Sequence, residues 1–126
     1  MDITIKVIPN EQIRERAGFT GADWWFDSKD DSIQVRVAKM GDWREEFALA
    51  IHEVVEAAFC RYDGIPVSKV DEFDRENEGD NHGLNAGDMP NAPYRIQHCY
   101  ATAVERMIAG YMNIWWGRYD ERLGKL

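Results

Sequence analysis

Residues 3–8, Ile-Thr-Ile-Lys-Val-Ile, alternate apolar and polar positions and stop at Pro9, the period-two pattern of a half-buried strand. Residues 11–17 suit a helical turn that Gly18 ends. Trp24-Trp25-Phe26 and the run Ser32 to Ala38, with Ile33, Val35 and Val37 on one face, flank the polar cluster Asp27-Ser28-Lys29-Asp30-Asp31. Two such runs around a turn-rich cluster predict a hairpin. The first third of the chain is therefore expected to form a small, mostly antiparallel sheet.

Beyond Gly41 the apolar period lengthens. Asp42 with Glu45 three residues on has the form of a capping box, in which side chains satisfy the bare N–H groups that open a helix. That helix is expected from about Trp43 to about Tyr62, ending before Gly64 and Pro66. A short second helix should start at Ser68, with Asp71 in the reciprocal capping position, and fade by Asn77. Residues 77–93 are too rich in Gly, Asn and Pro for regular structure; a loop of that length is either functional or disordered. Pro93 suits the first turn of a third helix over about 94–112. Asn113 breaks it before the aromatic tail Ile114-Trp115-Trp116-Gly117-Arg118-Tyr119. Strands first and helices after indicate an α+β fold, a small N-terminal antiparallel sheet followed by three to four helices, with residues 1–126 forming one domain.

Composition narrows the function classes. The 126 residues carry 23 Asp and Glu against 15 Lys and Arg, a formal net charge of −8. An acid excess disfavours nucleic acid or an anionic membrane as partner, since both require a basic face. No run approaches the roughly 18 apolar residues of a membrane span, and no basic-then-apolar segment opens the chain as a secretory signal does. Cys60 and Cys99 are too few for a disulfide framework and read as reduced thiols of a cytoplasmic protein.

The chemistry concentrates on the long helix. At about 100° per residue, Phe47, Ile51, Val54, Val55 and Ala58 form a broad apolar face, and Ala48, Ala50, Ala57 and Phe59 extend it around most of the circumference. His52, Glu53, Glu56 and Glu45 fall in the remaining arc, with Leu49 and Cys60 among them. Carboxylates on a largely buried helix need water, a counter-charge or a metal. His52 and Glu56, four apart, sit on adjacent turns and can converge on one ion, while Glu53 points beside them. The plainer alternative is a buried His52 bonded to backbone beside two solvated acids. On the third helix, Ile96, Tyr100, Ala103, Val104, Met107 and Tyr111 make the expected core stripe. His98 and Glu105 stand two turns apart on nearly the opposite side, among Ala101, Thr102 and Ala109. His98 is thus the expected third ligand, and two imidazoles with one carboxylate and an open position is the composition of a catalytic zinc site. Glu105 is expected to orient His98 or to complete the shell; alternatively His98 and Glu105 form a buried pair that fastens the helix.

Strands, a hairpin, the phrase Ile51-His52-Glu53-Val54-Val55-Glu56-Ala57 and a later ligand-bearing helix resemble the minimal zincin-like metallopeptidase arrangement. That phrase, with Val70-Asp71-Glu72-Phe73-Asp74 and Pro93-Tyr94-Arg95-Ile96-Gln97-His98, is also similar to short phage proteins. In zincins two helix histidines bind zinc and the glutamate between them is the general base. His52 and Glu53 match residue for residue, and Glu56 stands where the second histidine would be. The resemblance implies zinc-assisted hydrolysis of a peptide or small amide, with Glu53 taking a proton from water. The loop carrying Asp80, His82 and Asp88 would close over the site or select substrate, His82 being either a further ligand or a solvated side chain. Cys60, at the edge of the ionisable arc, has its thiol pKa raised by nearby carboxylates, and Cys99 reads as core filler.

Two other readings fit the same residues. Glu53-x-x-Glu56 and Asp71-x-x-Asp74 resemble the paired acidic motifs of MazG-type nucleotide pyrophosphohydrolases, in which four carboxylates on paired helices hold Mg2+. That family is helical throughout. Alternatively the chain catalyses nothing and binds another protein, using some of Trp24, Trp25, Trp115, Trp116 and Tyr119.

Overall fold

A computed structural model describes residues 1–17, 21–77 and 85–126. Strand β1 (Ile3–Ile8) is followed by helix α1 (Asn10–Ala17), and strands β2 (Ala22–Phe26) and β3 (Ile33–Ala38) form the expected hairpin. β3 is the central strand. It pairs antiparallel with β2, Trp24 facing Val35, and parallel with β1 from Ile3–Ile33 to Ile8–Ala38. The sheet is therefore mixed rather than antiparallel throughout. Alternation reports which face of a strand is buried and says nothing about its direction, so the helical crossover through α1 is invisible in it. Ile33, Val35 and Val37 of β3 are fully buried, whereas Ile3, Ile5 and Val7 of the edge strand stay 42–46% exposed.

Helix α2 (Trp43–Asp63) crosses behind the sheet. Asp42 caps it by accepting from the Arg44 N–H, but the capping box does not close. Glu46 reaches back to the N–H groups of Met40 and Gly41, and Glu45 turns inward to Arg122 at 2.8 Å. Gly64, at φ +73°, ends the helix in the left-handed conformation that a residue without Cβ adopts freely, its N–H returning to the carbonyls of Arg61 and Cys60. Helix α3 (Val67–Glu76) begins one residue before the expected Ser68 and has no side-chain cap. Asp71 is consequently not a capping residue. A 3-10 turn over Ala86–Asp88 leads to α4 (Arg95–Tyr111), and Asn113 (φ +57°) redirects the chain into α5 (Trp116–Gly124). The aromatic tail is thus a fifth helix.

α2 and α4 run antiparallel, Phe59 meeting Tyr100 while Phe47 shares a groove with Met107 and Tyr111. On both helices the ionisable face is packed, whereas the apolar face, expected to be packed too, lies largely outside. The buried positions of α4 are Gln97, His98, Ala101, Glu105 and Ala109, and its apolar stripe lies outside, with Ile96, Tyr100, Met107 and Tyr111 61–91% exposed. On α2, His52, Glu53 and Glu56 are buried with Ala48, Leu49, Ala57 and Cys60, while Phe47 is exposed and Ile51, Val54, Val55 and Ala58 are half-buried. Alanines at the crossing let the two backbones approach, and the ionisable side chains between them satisfy one another. No helix among the described residues is long and apolar enough to cross a membrane.

Candidate metal centre

Three side chains from α2 and α4 converge at the helix crossing. The Glu56 Oε2 lies 3.2 Å from Nε2 of His52, one turn back on the same helix, and 2.9 Å from Nδ1 of His98 on α4. One ligand atom from each of the three residues lies within 4.8 Å of the other two, and all three residues are buried. Ligand atoms around a tetrahedral zinc with bonds of about 2.0–2.1 Å stand roughly 3.3–3.4 Å apart. Two of the three edges are already close to that spacing. The group is therefore near enough to bind a metal ion.

What stands behind the ligands supports the same assignment. The Nδ1 of His52, the nitrogen turned away from Glu56, meets Glu105 Oε1 at 2.8 Å, and the buried Tyr119 hydroxyl donates to the other Glu105 oxygen. The outward Nε2 of His98 lies 3.2 Å from Asp88 on the 3-10 turn. Trp24 Nε1–H donates to Glu56 Oε1 at 3.0 Å, leaving Oε2 to the histidines. Each ligand is thus fixed by a second polar group, as metal-binding histidines and carboxylates generally are. Glu105 orients His52 rather than His98, contrary to the expected pairing, because the antiparallel crossing sets it beside the earlier histidine. Gly87 presses against the His98 ring, where a Cβ would come within 2.5 Å of it.

The electrostatics follow from burial and pairing. Burial disfavours charge on the His52 imidazole, but hydrogen bonds to Glu105 and Glu56 outweigh it and hold the pKa well above the usual histidine value. Burial likewise opposes the Glu56 carboxylate, and the two histidines nevertheless keep it well below the normal range. Glu53 is pushed the other way, first by burial and then by the charge of Glu56.

A cavity of about 160 Å³ adjoins the triad, lined by Glu53, Glu56, Asp74, Asp23, Trp24 and Leu49 among others. Glu53 is 9% exposed and makes no hydrogen bond among the described residues. Asp74 accepts from the Tyr94 hydroxyl; burial raises its pKa to about 7, against the hydrogen bond and with the help of Glu56. Asp23 is fully buried between Arg16 (2.5 Å) and Arg36 (3.0 Å). Asp71 turns away to Arg16 at 3.3 Å, separated in role from Asp74. Asp80 and His82 lie outside the described residues. Cys60 is buried, its thiol pushed up to about 12 by burial and the neighbouring carboxylates. Cys99 is exposed rather than core filler, as the rotation of α4 requires.

Sequence reasoning missed the roles of Trp24 and Tyr119, whose polar ends fasten Glu56 and Glu105; an aromatic gives no sign in the sequence of which polar group it will meet. It also missed Arg16 and Arg36, the countercharges of Asp23. Compared with protein-family models, with curated proteins and with solved structures, the chain matches none.

Proposed function

We propose that this protein is a zinc-dependent hydrolase of zincin-like type, acting on a peptide or small amide in the cytoplasm of a bacterial host, as its likeness to phage proteins suggests. The observation that carries the reading is the meeting of His52 Nε2, His98 Nδ1 and Glu56 Oε2 from two antiparallel helices, with a carboxylate behind each imidazole. Two imidazoles and one carboxylate match the donor set of catalytic zinc, which leaves a fourth position for water. Zinc supplies a Lewis acid that lowers the pKa of a water ligand from about 16 to about 7.

The chain's own residues would do the rest. Glu105, locked by Tyr119, holds the His52 ring with Nε2 facing inward; Asp88 and Gly87 hold the His98 ring with Nδ1 facing inward. Glu53, adjacent in sequence to His52 and buried on the cavity wall with no hydrogen bond among the described residues, takes the proton from the attacking water and returns it to the leaving amine. The small carboxylate-lined cavity admits the substrate.

The test is metal content and turnover. Protein purified without chelator should carry about one zinc per chain, lost in a His52→Ala/His98→Ala double variant. Glu53→Gln should keep the metal and lose amide hydrolysis.

A second reading has one observation of its own. Glu53, Glu56 and Asp74 share one cavity wall, which supports a Mg2+-dependent nucleotide pyrophosphohydrolase of MazG type. The pairing of Asp71 with Arg16 and the N-terminal sheet weigh against it. Magnesium-dependent release of pyrophosphate from nucleotides, unaffected by His98→Ala, would favour it over the zinc reading. Binding to another protein without catalysis is the third reading, supported by the exposed apolar residues on the outward faces of α2 and α4.

A further inference from the structure

The outward faces of α2 and α4 form one apolar surface. Along α4 it runs through Ile96, Tyr100, Ala103, Met107 and Tyr111; along α2 its exposed members are Phe47, Phe59 and Tyr62. Among the described residues neither stripe contains a charged side chain, and Asp63 borders the surface at one end. Of the charges bordering it, Asp63 accepts from Gln97 at 2.7 Å and Arg106 stacks over Trp116.

Two grooves mark the ends of the seam between the helices. One, of about 540 Å³, is lined by Phe59, Tyr62, Ile96 and Tyr100 with Asp63 at its edge; the other, of about 420 Å³, by Phe47, Met107, Ile108 and Tyr111. At each end stands a tyrosine that is almost wholly exposed, Tyr62 at 90% and Tyr111 at 91%.

We infer that this face is the interface of a two-fold symmetric dimer. The area is sufficient. Seven large side chains of the face are 40–91% exposed, and at roughly 200 Å² each they present on the order of 900 Å². One partner in a standard interface contributes about 800 Å². The geometry is self-complementary as well. A two-fold axis across the middle of the seam sets the groove at one end of one copy over the opposite-end groove of its partner. Each protruding tyrosine then meets an apolar recess, and the two helix pairs close into a four-helix layer. Charge restricts the occupant. Chains of net charge −8 repel one another, so a second copy approaches most closely at a face poor in charge, and an anionic lipid surface is repelled.

The test is sedimentation equilibrium of the full chain from micromolar to about 100 µM. The wild type should have dimer mass at the upper concentrations. Met107→Glu and Tyr62→Glu, one on each helix and both exposed in the monomer, should each raise the dissociation constant by at least about a hundredfold, because an unpaired charge is then buried in the interface. Their circular dichroism should be unchanged. Val7→Glu, on the exposed edge strand, should leave the dimer intact. A wild type that is monomeric throughout overturns the inference, and so does a dimer broken by Val7→Glu but not by Met107→Glu. A monomeric wild type that floats with vesicles of neutral phosphatidylcholine overturns it in favour of lipid.

Discussion

Replacing Glu105 by Gln isolates the orienting role of a single carboxylate. Glu105 is 4% exposed, 2.8 Å from Nδ1 of His52, and braced on its other oxygen by the fully buried Tyr119. Glutamine has the same shape, so its carbonyl oxygen can still accept from the Nδ1–H. Its amide then points at Tyr119, whose hydroxyl must turn to accept instead of donate. The substitution therefore keeps the geometry and removes the charge that makes His52 a stronger ligand. Loss of such a partner typically weakens metal binding about 10–100-fold, and retention of the hydrogen bond places Glu105→Gln near about tenfold, or about 1.4 kcal/mol. Glu105→Ala, which also frees the ring, belongs near about a hundredfold. Competition against a chromophoric zinc chelator measures this directly, with circular dichroism and thermal midpoint confirming the fold. Glu72→Gln, an exposed acid on α3, serves as the control and should change nothing. If Glu105→Gln binds zinc within about twofold of wild type while His52→Ala loses it, the carboxylate does not orient the ligand. If His98→Ala binds as well as wild type, the triad itself is wrong.

Gly87→Ala should cost about 2 kcal/mol or more of stability and weaken zinc binding, since its Cβ would sit 2.5 Å from the His98 ring; chemical denaturation and the same chelator competition report both effects. Because flanking carboxylates raise the pKa of His52, zinc must displace a proton there. Apparent affinity should climb by about tenfold per pH unit below that pKa, with about one proton released per ion in calorimetry at two buffer ionisation enthalpies; pH-independent affinity from pH 5 to about 7 would contradict this. Asp74, with a folded-state pKa of about 7 against an ordinary aspartate value, binds its proton more tightly when folded. The stability it contributes to the metal-free protein is thus full at low pH and lost as pH rises from about 4 to about 7. Asp74→Asn should flatten that part of the urea-unfolding profile and stabilise the protein at about pH 8 by about 1–3 kcal/mol. Arg122→Ala strands the buried Glu45 carboxylate, 2.8 Å away, and should destabilise the fold by about 1–3 kcal/mol, allowing for the exposure of Arg122; Glu45→Gln in the same background should recover part of the loss.

The element order, the hairpin and the long capped helix were legible because they rest on local rules, alternation, turn residues and an N-cap, that act within a few residues. The grouping of His52, Glu56 and His98 was legible too, since an (i, i+4) pair and a histidine among small residues constrain which faces can meet. Strand direction and the identity of the partner that braces each ligand were not, because both depend on contacts between distant segments. The exposure of the apolar stripes of α2 and α4 departs from the sequence expectation for a physical reason. Assigning the larger apolar stripe to the core assumes that apolar area decides which face of a helix is buried. Here Ala48, Ala57, Ala101 and Ala109 line the buried side, so the backbones come close enough for His52, Glu56, His98 and Glu105 to satisfy one another in one network. Turning either helix to bury Phe47 or Tyr100 would break that network and leave its partners on the other helix as buried charges without counterparts, at a cost of several kcal/mol each. The polar cluster therefore selects the inward face. The displaced apolar stripe is left on the surface, so the arrangement that builds the metal centre also creates the face through which a second copy would bind.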